Sequence, residues 1–540
     1  MKRGIVRLVA VCLCGHALAQ EDQTDARAVF QELYGRIDAA VAAQDQAAVD
    51  RLIAGDAQIH IGPLRLSLRV AIGSDMTTAG FSRRSEVKTA RIEGKSAVVT
   101  VEVTTSEGSD GAKKERRSTT HDVWERGEAG WVCRESEGTA GESKLRPTGT
   151  EEAKPVVAEL KTRAVKLATV EPGAGFEDLE ALGKAIGDAR IVALGEATHG
   201  TQEFRRLNQR LIEYLVRRKG FAVVAFEMNW PDTAENDRYI KTPGAPRPRA
   251  GFPDLMEWMR EENRAGPKVT WAGFDMQGVG AAADLALEYL KRYAPDSAPA
   301  ADAAYAAARK IDDDHTNFFL PGASEAAGKA EAALAQFDAH RPEWIAKSSA
   351  AAWRDARHAA ATVAAAAAMR VESNGFLYRD RMMAKNVEWL ADEAFPAEKI
   401  VLWAHNGHVW ADKAVMGDWL RKRFGSAYYV VGTAYRRGEV SGFGVEGNQN
   451  KGFGAWPVVP APEGSGDAIL SAAGMPLFFL DLRSVPRDGP LGVWLAEEHR
   501  FNIAGGVVPI GKESMSEGSL RARFDGLVFV EESHAYTLGR

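Results

Sequence analysis

The stretch IVALGEATHGTQEF, residues 191–204, opens with four apolar residues that show no alternation, then sets Glu196 and His199 three positions apart where a helical pattern takes over. A strand that is apolar on both faces must be covered on both faces, which is the mark of a parallel sheet flanked by helices. Similar runs follow: FAVVAFEMNW (221–230), VTWAGFDMQG (269–278), KIVLWAHNGHVW (399–410), AYYVVGTAY (427–435), PLFFLDLRS (476–484) and FDGLVFVEESH (524–534). Helical segments separate them. Residues 157–540 are therefore expected to form one α/β domain with a largely parallel sheet and helices on both faces.

The ends of the first four runs carry the chemistry. Glu196 and His199, Glu227, Asp275, and His405 with His408 each follow a short apolar run. Parallel strands end on the same side, so these side chains are expected to meet at one sheet edge, where α/β proteins bind ligands. A lone Glu-x-x-His reads equally as a helix cap and a surface imidazole. Four successive strand ends with ionisable groups, each needing a partner if buried, point to a site.

Residues 281–378 are rich in alanine at helical spacing and predict a helical insertion, a candidate lid over the cleft. His315, His340 and His358 are expected on its solvated faces. Trp271, Trp403 and Trp410 near the sheet edge read as an apolar wall for a ligand or as core. No G-x-S-x-G, Walker A or H-E-x-x-H motif occurs. Gly278, Gly280 and Ala283 give a weak G-x-G-x-x-A match, and no cofactor is expected from it.

The N-terminal part reads differently. MKRGIVRLVAVCLCGHALAQ has basic Lys2, Arg3 and Arg7, an apolar run and a small-residue site at Ala17–Ala19, the pattern of a secretory signal peptide over residues 1–19. Export would leave Cys133 as a lone thiol and place the protein in a periplasm or outside the cell. Residues 20–136 begin with helices, with Val29, Leu33, Ile37 and Val41 spaced by four, and continue as alternating strands. This pattern resembles the NTF2-like (SnoaL-type) cone fold; it reads either as enclosing a pocket lined by His60 or His121, or as a dimerisation or packing module in which these are ordinary partly buried histidines. Residues 137–156 are polar and read as a linker. With 68 basic and 74 acidic residues the net charge is -6, so no nucleic-acid footprint is present. No apolar run beyond the leader reaches the roughly 18 residues of a membrane span.

LGEATHGTQEF, AFEMNW, GFDMQ, RDRMMAKNVEWL and AHNGH, in this order, resemble the erythromycin esterase family of macrolide-inactivating hydrolases over about residues 160–540. The resemblance implies that His199 is the essential histidine and general base. It makes Glu227 the essential glutamate supporting His199, and Glu196 and His405 further catalytic residues. His408, Asp275, Arg206 and Trp410 are expected to contact substrate. The family carries a basic residue nine positions after its essential histidine. Asn208 stands there in this chain, with Arg205, Arg206 and Arg210 as substitutes.

Chemistry supports the same set. An imidazole of ordinary pKa about 6.5 can take a proton from attacking water, a carboxylate can fix its tautomer, and a second histidine can serve the oxyanion or the leaving alcohol. An ester or lactone hydrolase is the leading reading. Two alternatives stay open: a metal-dependent enzyme or haem-binding protein using His199, His405, His408 and a carboxylate, and a non-hydrolytic relative.

Overall fold

The computed structural model describes residues 20–61, 64–69, 71–72, 81–107, 114–138, 145–249, 251–266, 268–312, 322–372, 375–446 and 449–536. The leader and His315 lie outside them, as does the side chain of His60. The chain divides into two compact units, Met1–Lys144 and Leu145–Arg540.

In the first unit helices α1 (Gln20–Ala42) and α2 (Gln46–Leu52) precede strands β1 (Ile53–Ile61), β2 (Leu64–Ser67), β3 (Ser82–Glu93), β4 (Ser96–Glu107), β5 (Lys114–Gly127) and β6 (Gly130–Gly138). The sheet order is β2-β1-β6-β5-β4-β3, antiparallel throughout except that β1 runs parallel to β6. Leu33, Ile37 and Val41 are buried on α1 as the spacing predicts, joined by Phe30 and Tyr34, while Val29 is exposed. His121 is exposed on β5 and lines no interior. The interior polar group is instead Asp122, which accepts from Tyr34 Oη and, at 2.6 Å, from Ser136 Oγ. Burial pushes its carboxyl up from the ordinary value. Cys133 is a free, buried thiol.

The segment expected to be a linker ends in a helix, α3 (Thr150–Arg163). Glu151 and Glu152 sit in its first turn, where the helix dipole favours anions, and Lys161 and Arg163 in its last. Its polar composition is that of a solvated helix face, while Val156 and Leu160 enter the main core of the second unit.

That unit is built on a ten-stranded sheet. Strands β7 (Ile191–Glu196), β8 (Phe221–Asn229), β9 (Thr270–Asp275), β10 (Lys399–His405), β11 (Tyr428–Glu446), β12 (Leu477–Asp481) and β13 (Gly526–Ser533) run in the order β9-β8-β10-β7-β11-β13-β12. All neighbours are parallel except β12, which is antiparallel to β13. Alternate residues feed two cores. Ile191, Ala193, Ile400 and Leu402 pack on one side with Met383 and Val387 of the helix Gly375–Trp389. Val192, Leu194, Val401 and Trp403 pack on the other with Leu207, Leu211 and Leu215 of helix α4 (Gln202–Lys219). This two-sided burial is why the strands show no polar alternation. Between β9 and β10, helices α5 (Gly280–Tyr293), α6 (Ala298–Asp312), α7 (Ala323–Ala339) and α8 (Ala350–Met369) share a core rich in alanine, and α9 (Gly375–Trp389) returns the chain to the sheet. His340 is solvated, but His358 is not: its ring stacks on Trp389 at 3.8 Å, and burial lowers its pKa to about 3. Among the described residues no helix is long and apolar enough to cross a membrane.

Candidate active site

Strand register brings the expected residues together. Glu196 and His405 are directly paired across β7 and β10, Trp403 pairs with Phe226 across β10 and β8, and Asp275 lies opposite Asn229 at the end of β9. Two glycines, one at the end of β7 and one in the turn after it, allow neighbouring segments to approach closely. A Cβ on Gly195 would collide with the Asn406 side chain, and one on Gly200 with the Ser441 carbonyl. The Ala197 amide donates to Thr433 Oγ1 at 2.8 Å, which fixes the loop carrying His199.

His199 Nδ1 lies 2.8 Å from Glu196 Oε1, and the other Glu196 oxygen accepts from Trp403 Nε1 at 2.8 Å. The glutamate is buried while the His199 side chain keeps 40% of its surface exposed. Burial works against protonation of His199, but the Glu196 carboxylate outweighs it and raises the pKa above the ordinary 6.5. This corrects one expectation: Glu196, not Glu227, orients His199. Glu227 accepts from Arg379 at 2.8 Å and from the His405 amide at 3.0 Å, and lies 3.2 Å from His408 Nε2. Despite burial, His408 and Arg379 hold its carboxyl well below the usual range.

Around Glu227 lies a closed charge cluster. Arg379, at the start of α9, also donates to both oxygens of Asp275 at 2.8 and 3.0 Å. Asp380 accepts from the Met416 amide and lies 2.8 Å from His408 Nδ1. Burial opposes the charge on His408, yet Glu227 and Asp380 outweigh it and raise its pKa to about 9, so it is an imidazolium at neutral pH. His405 goes the other way: burial and the neighbouring His199, its ring 5.0 Å distant, lower its pKa to about 3. Its Nδ1 accepts from the Gly407 amide at 3.2 Å, which leaves Nε2 carrying the proton, buried and without a partner in hydrogen-bond geometry.

A cleft of about 370 Å³ opens beside these groups, lined by Glu196, His199, Arg205, Glu227, Phe252 and Trp403 among others. None of the four expected substrate contacts, His408, Asp275, Arg206 and Trp410, is among the residues that line it. Arg206 is exposed and paired with Glu171 at 2.7 Å, because it falls on the outer side of α4. Trp410 does not line the cleft; it packs against the core under Arg523, whose guanidinium lies 4.0 Å over its ring. Asp275 lies behind the cleft on Arg379, and His408 on Glu227. Of the candidate substitutes for Asn208, only Arg205 reaches the cleft: Arg210 is buried in an ion pair with Asp178, and Asn208 itself is buried. Arg379 and Asp380 are the residues that motif reading passed over. Both stand in RDRMMAKNVEWL, but about a hundred residues separate that segment from its acidic partner Asp275, and only the fold joins them. Among the described residues, no group of three or more His, Cys, Asp or Glu side chains is arranged to hold a metal ion.

Residues 216–533 match the erythromycin esterase family model. The chain belongs to the erythromycin esterase family. It is accordingly an esterase-type hydrolase. The erythromycin esterase type II of Escherichia coli is 22% identical over 373 residues, 61% of this chain and 89% of that protein. The Bacillus subtilis (strain 168) protein YbfO, named as a hydrolase, is 27% identical over 354 residues, 57% of this chain and 77% of its own length. Among solved structures, a Bacillus cereus protein superposes with a TM-score of 0.64 at 24% identity, covering 72% of this chain and 99% of that one. The erythromycin esterase mutant EreC in its open conformation gives 0.56 at 18% identity, with 70% and 98% covered. These superpositions support the α/β fold of the second unit.

Proposed function

We propose that the protein hydrolyses an ester or lactone, macrolide-like compounds among the candidates, by water that His199 activates. The observation carrying this is the Glu196–His199 pair at the wall of the cleft. With Nδ1 held by Glu196, the free nitrogen of His199 is Nε2, which takes the proton as water oxygen attacks the carbonyl carbon. The carbonyl oxygen then carries negative charge. His405, neutral with its proton on Nε2 and its ring 5.0 Å from that of His199, offers a donor to that oxygen, and the field of the His408 imidazolium favours the same charge. Collapse breaks the carbon–oxygen bond to the alcohol, which leaves with the proton returned from His199. Glu227, Arg379, Asp275 and Asp380 position the histidines. The signal-like leader supports export to a periplasm or the medium, and the N-terminal module is proposed to mediate a homodimer.

The test is an ester and lactone screen, macrolides included, on the purified chain lacking residues 1–19. His199→Ala is expected to lose at least about 3 kcal/mol of transition-state stabilisation, on the order of a hundredfold, with unchanged melting. Activity is expected to survive exhaustive chelation, since Glu227 and His408 already spend their donor and acceptor capacity on Arg379, Asp380 and each other. Full turnover in His199→Ala would remove the proposed base; activity lost on chelation and restored by one divalent metal would replace it with a metal-bound water.

A further inference from the structure

Both carboxylates that line the cleft are already engaged: Glu196 by His199 and Trp403, Glu227 by Arg379, His408 and the His405 amide. Arg205 is different. Its guanidinium lies 3.6 Å from the ring centre of Tyr536 and 4.6 Å from that of Phe252, and no side-chain hydrogen bond or ion pair to it exists among the described residues. Its helical neighbours on α4 behave otherwise, Arg206 pairing with Glu171, Arg210 with Asp178 and Arg217 with Glu262. The clamp on Arg205 is built by the fold. Tyr536 is pinned by its amide to the Gly200 carbonyl at 2.8 Å, and Phe252 stacks on Trp403 at 4.2 Å. Burial lowers the Arg205 pKa, partly offset by Tyr536, Glu196 and Asp254, yet a guanidinium stays charged.

A guanidinium held against aromatic faces keeps its N–H groups in its own plane, at the edge, where they match the two oxygens of a carboxylate. Holding a partly buried cation without hydrogen-bond partners is costly unless a ligand supplies them. We infer that the cleft selects an ester bearing, besides its scissile carbonyl, a carboxylate that pairs edge-on with Arg205, with the rest of the molecule laid on the Phe252–Trp403 stack. The inference rests on the esterase reading of the same cleft and names its substrate class. A single negative charge suits the place better than a phosphate dianion, because Glu196 and Glu227 face the same space.

The test uses a matched pair, 4-nitrophenyl hydrogen glutarate and its neutral methyl ester, 4-nitrophenyl methyl glutarate. Wild type is expected to favour the anionic ester by at least tenfold in kcat/KM, and Arg205→Gln to collapse that ratio. Arg206→Gln, altering the exposed neighbour, is expected to keep it. If Arg205→Gln does not fold, Arg205→Lys, which retains the charge without the planar fork, is expected to lower the ratio at least threefold. Calorimetric binding of glutarate gives a reading independent of hydrolysis, with affinity falling at least tenfold in Arg205→Gln. Glutarate binding that depends on Arg205, with neither ester cleaved, would uphold the anion site and defeat the esterase reading. Equal cleavage of both esters by wild type and Arg205→Gln would overturn the anion site and leave the esterase reading standing.

Discussion

Glu196 holds His199 through a 2.8 Å contact to Nδ1 while its second oxygen is fixed by the Trp403 indole, so one buried carboxylate is locked at both oxygens. The general base must be neutral to act. Because Glu196 raises the His199 pKa against the effect of burial, kcat/KM is expected to rise with pH through a value above the ordinary 6.5. Glu196→Gln removes the chief raising carboxylate and leaves burial opposed only by Glu227, so the ascending limb should move to lower pH and the plateau rate fall on the order of a hundredfold. A limb unmoved in Glu196→Gln would mean that another group controls the base. A descending limb near pH 9 is expected as His408 loses its proton.

Arg379 bridges two carboxyl groups, Glu227 and Asp275, and is followed in sequence by Asp380, the partner of His408. Arg379→Met leaves those carboxylates facing one another with only the His408 charge between them. Removing one partner of a buried ion cluster costs about 3–5 kcal/mol, to be measured as a shift in urea midpoint at constant slope. Glu227→Gln and Asp275→Asn in the same chain should recover part of that loss through coupling. A midpoint within error of wild type would show the cluster to be energetically loose.

How much of this was legible in the chain follows from what each signal depends on. Seven of the ten strands of the sheet announce themselves because burial on both faces leaves unbroken apolar runs, and the strand-end residues Glu196, Glu227, Asp275 and His405 follow from parallel direction alone. The antiparallel sense of β12 was not legible, since a short apolar run reads the same in both directions. Which carboxylate serves His199 depends on side-chain direction after the turn, which spacing does not carry. Arg205, Arg206 and Arg210 look alike in sequence, yet helix rotation sends one to the cleft, one to solvent and one to Asp178. His358 read as solvated because alanine-rich segments look like exposed helices; here small side chains allow close helix packing and bury it against Trp389.

The second unit is expected to fold and hydrolyse without the first, provided the cut respects Thr148. Its amide donates to the Gly464 carbonyl at 2.9 Å and its hydroxyl oxygen accepts from the Trp494 indole N–H at 3.3 Å, and α3 follows directly with Val156 and Leu160 in the core. A chain starting at Leu145 should therefore melt cooperatively and keep its kcat/KM, whereas one starting at Pro155 should lose several kcal/mol of stability by exposing that core. A Leu145 chain that is folded but inactive would assign the first unit a part in catalysis.

Asp467 tests whether alkaline conditions weaken the fold from within. One of its oxygens accepts from the Asn502 amide at 2.6 Å, while the other is buried without a partner. Burial is the chief cause that raises its pKa from 3.8 to about 8, against the Asn502 amide and Arg436. Between those two values the folded chain holds a proton that the unfolded chain has released. The stabilisation is therefore complete below about pH 4 and declines as pH rises to about 8, with a slope of about 1.4 kcal/mol per pH unit. Asp467→Asn has no proton to lose and keeps an oxygen for the Asn502 amide. Its stability relative to wild type should climb steadily from pH 5 to pH 8 and level off above, measured by urea unfolding at each pH. Parallel pH curves for the two proteins would show that Asp467 is already ionised in the folded state.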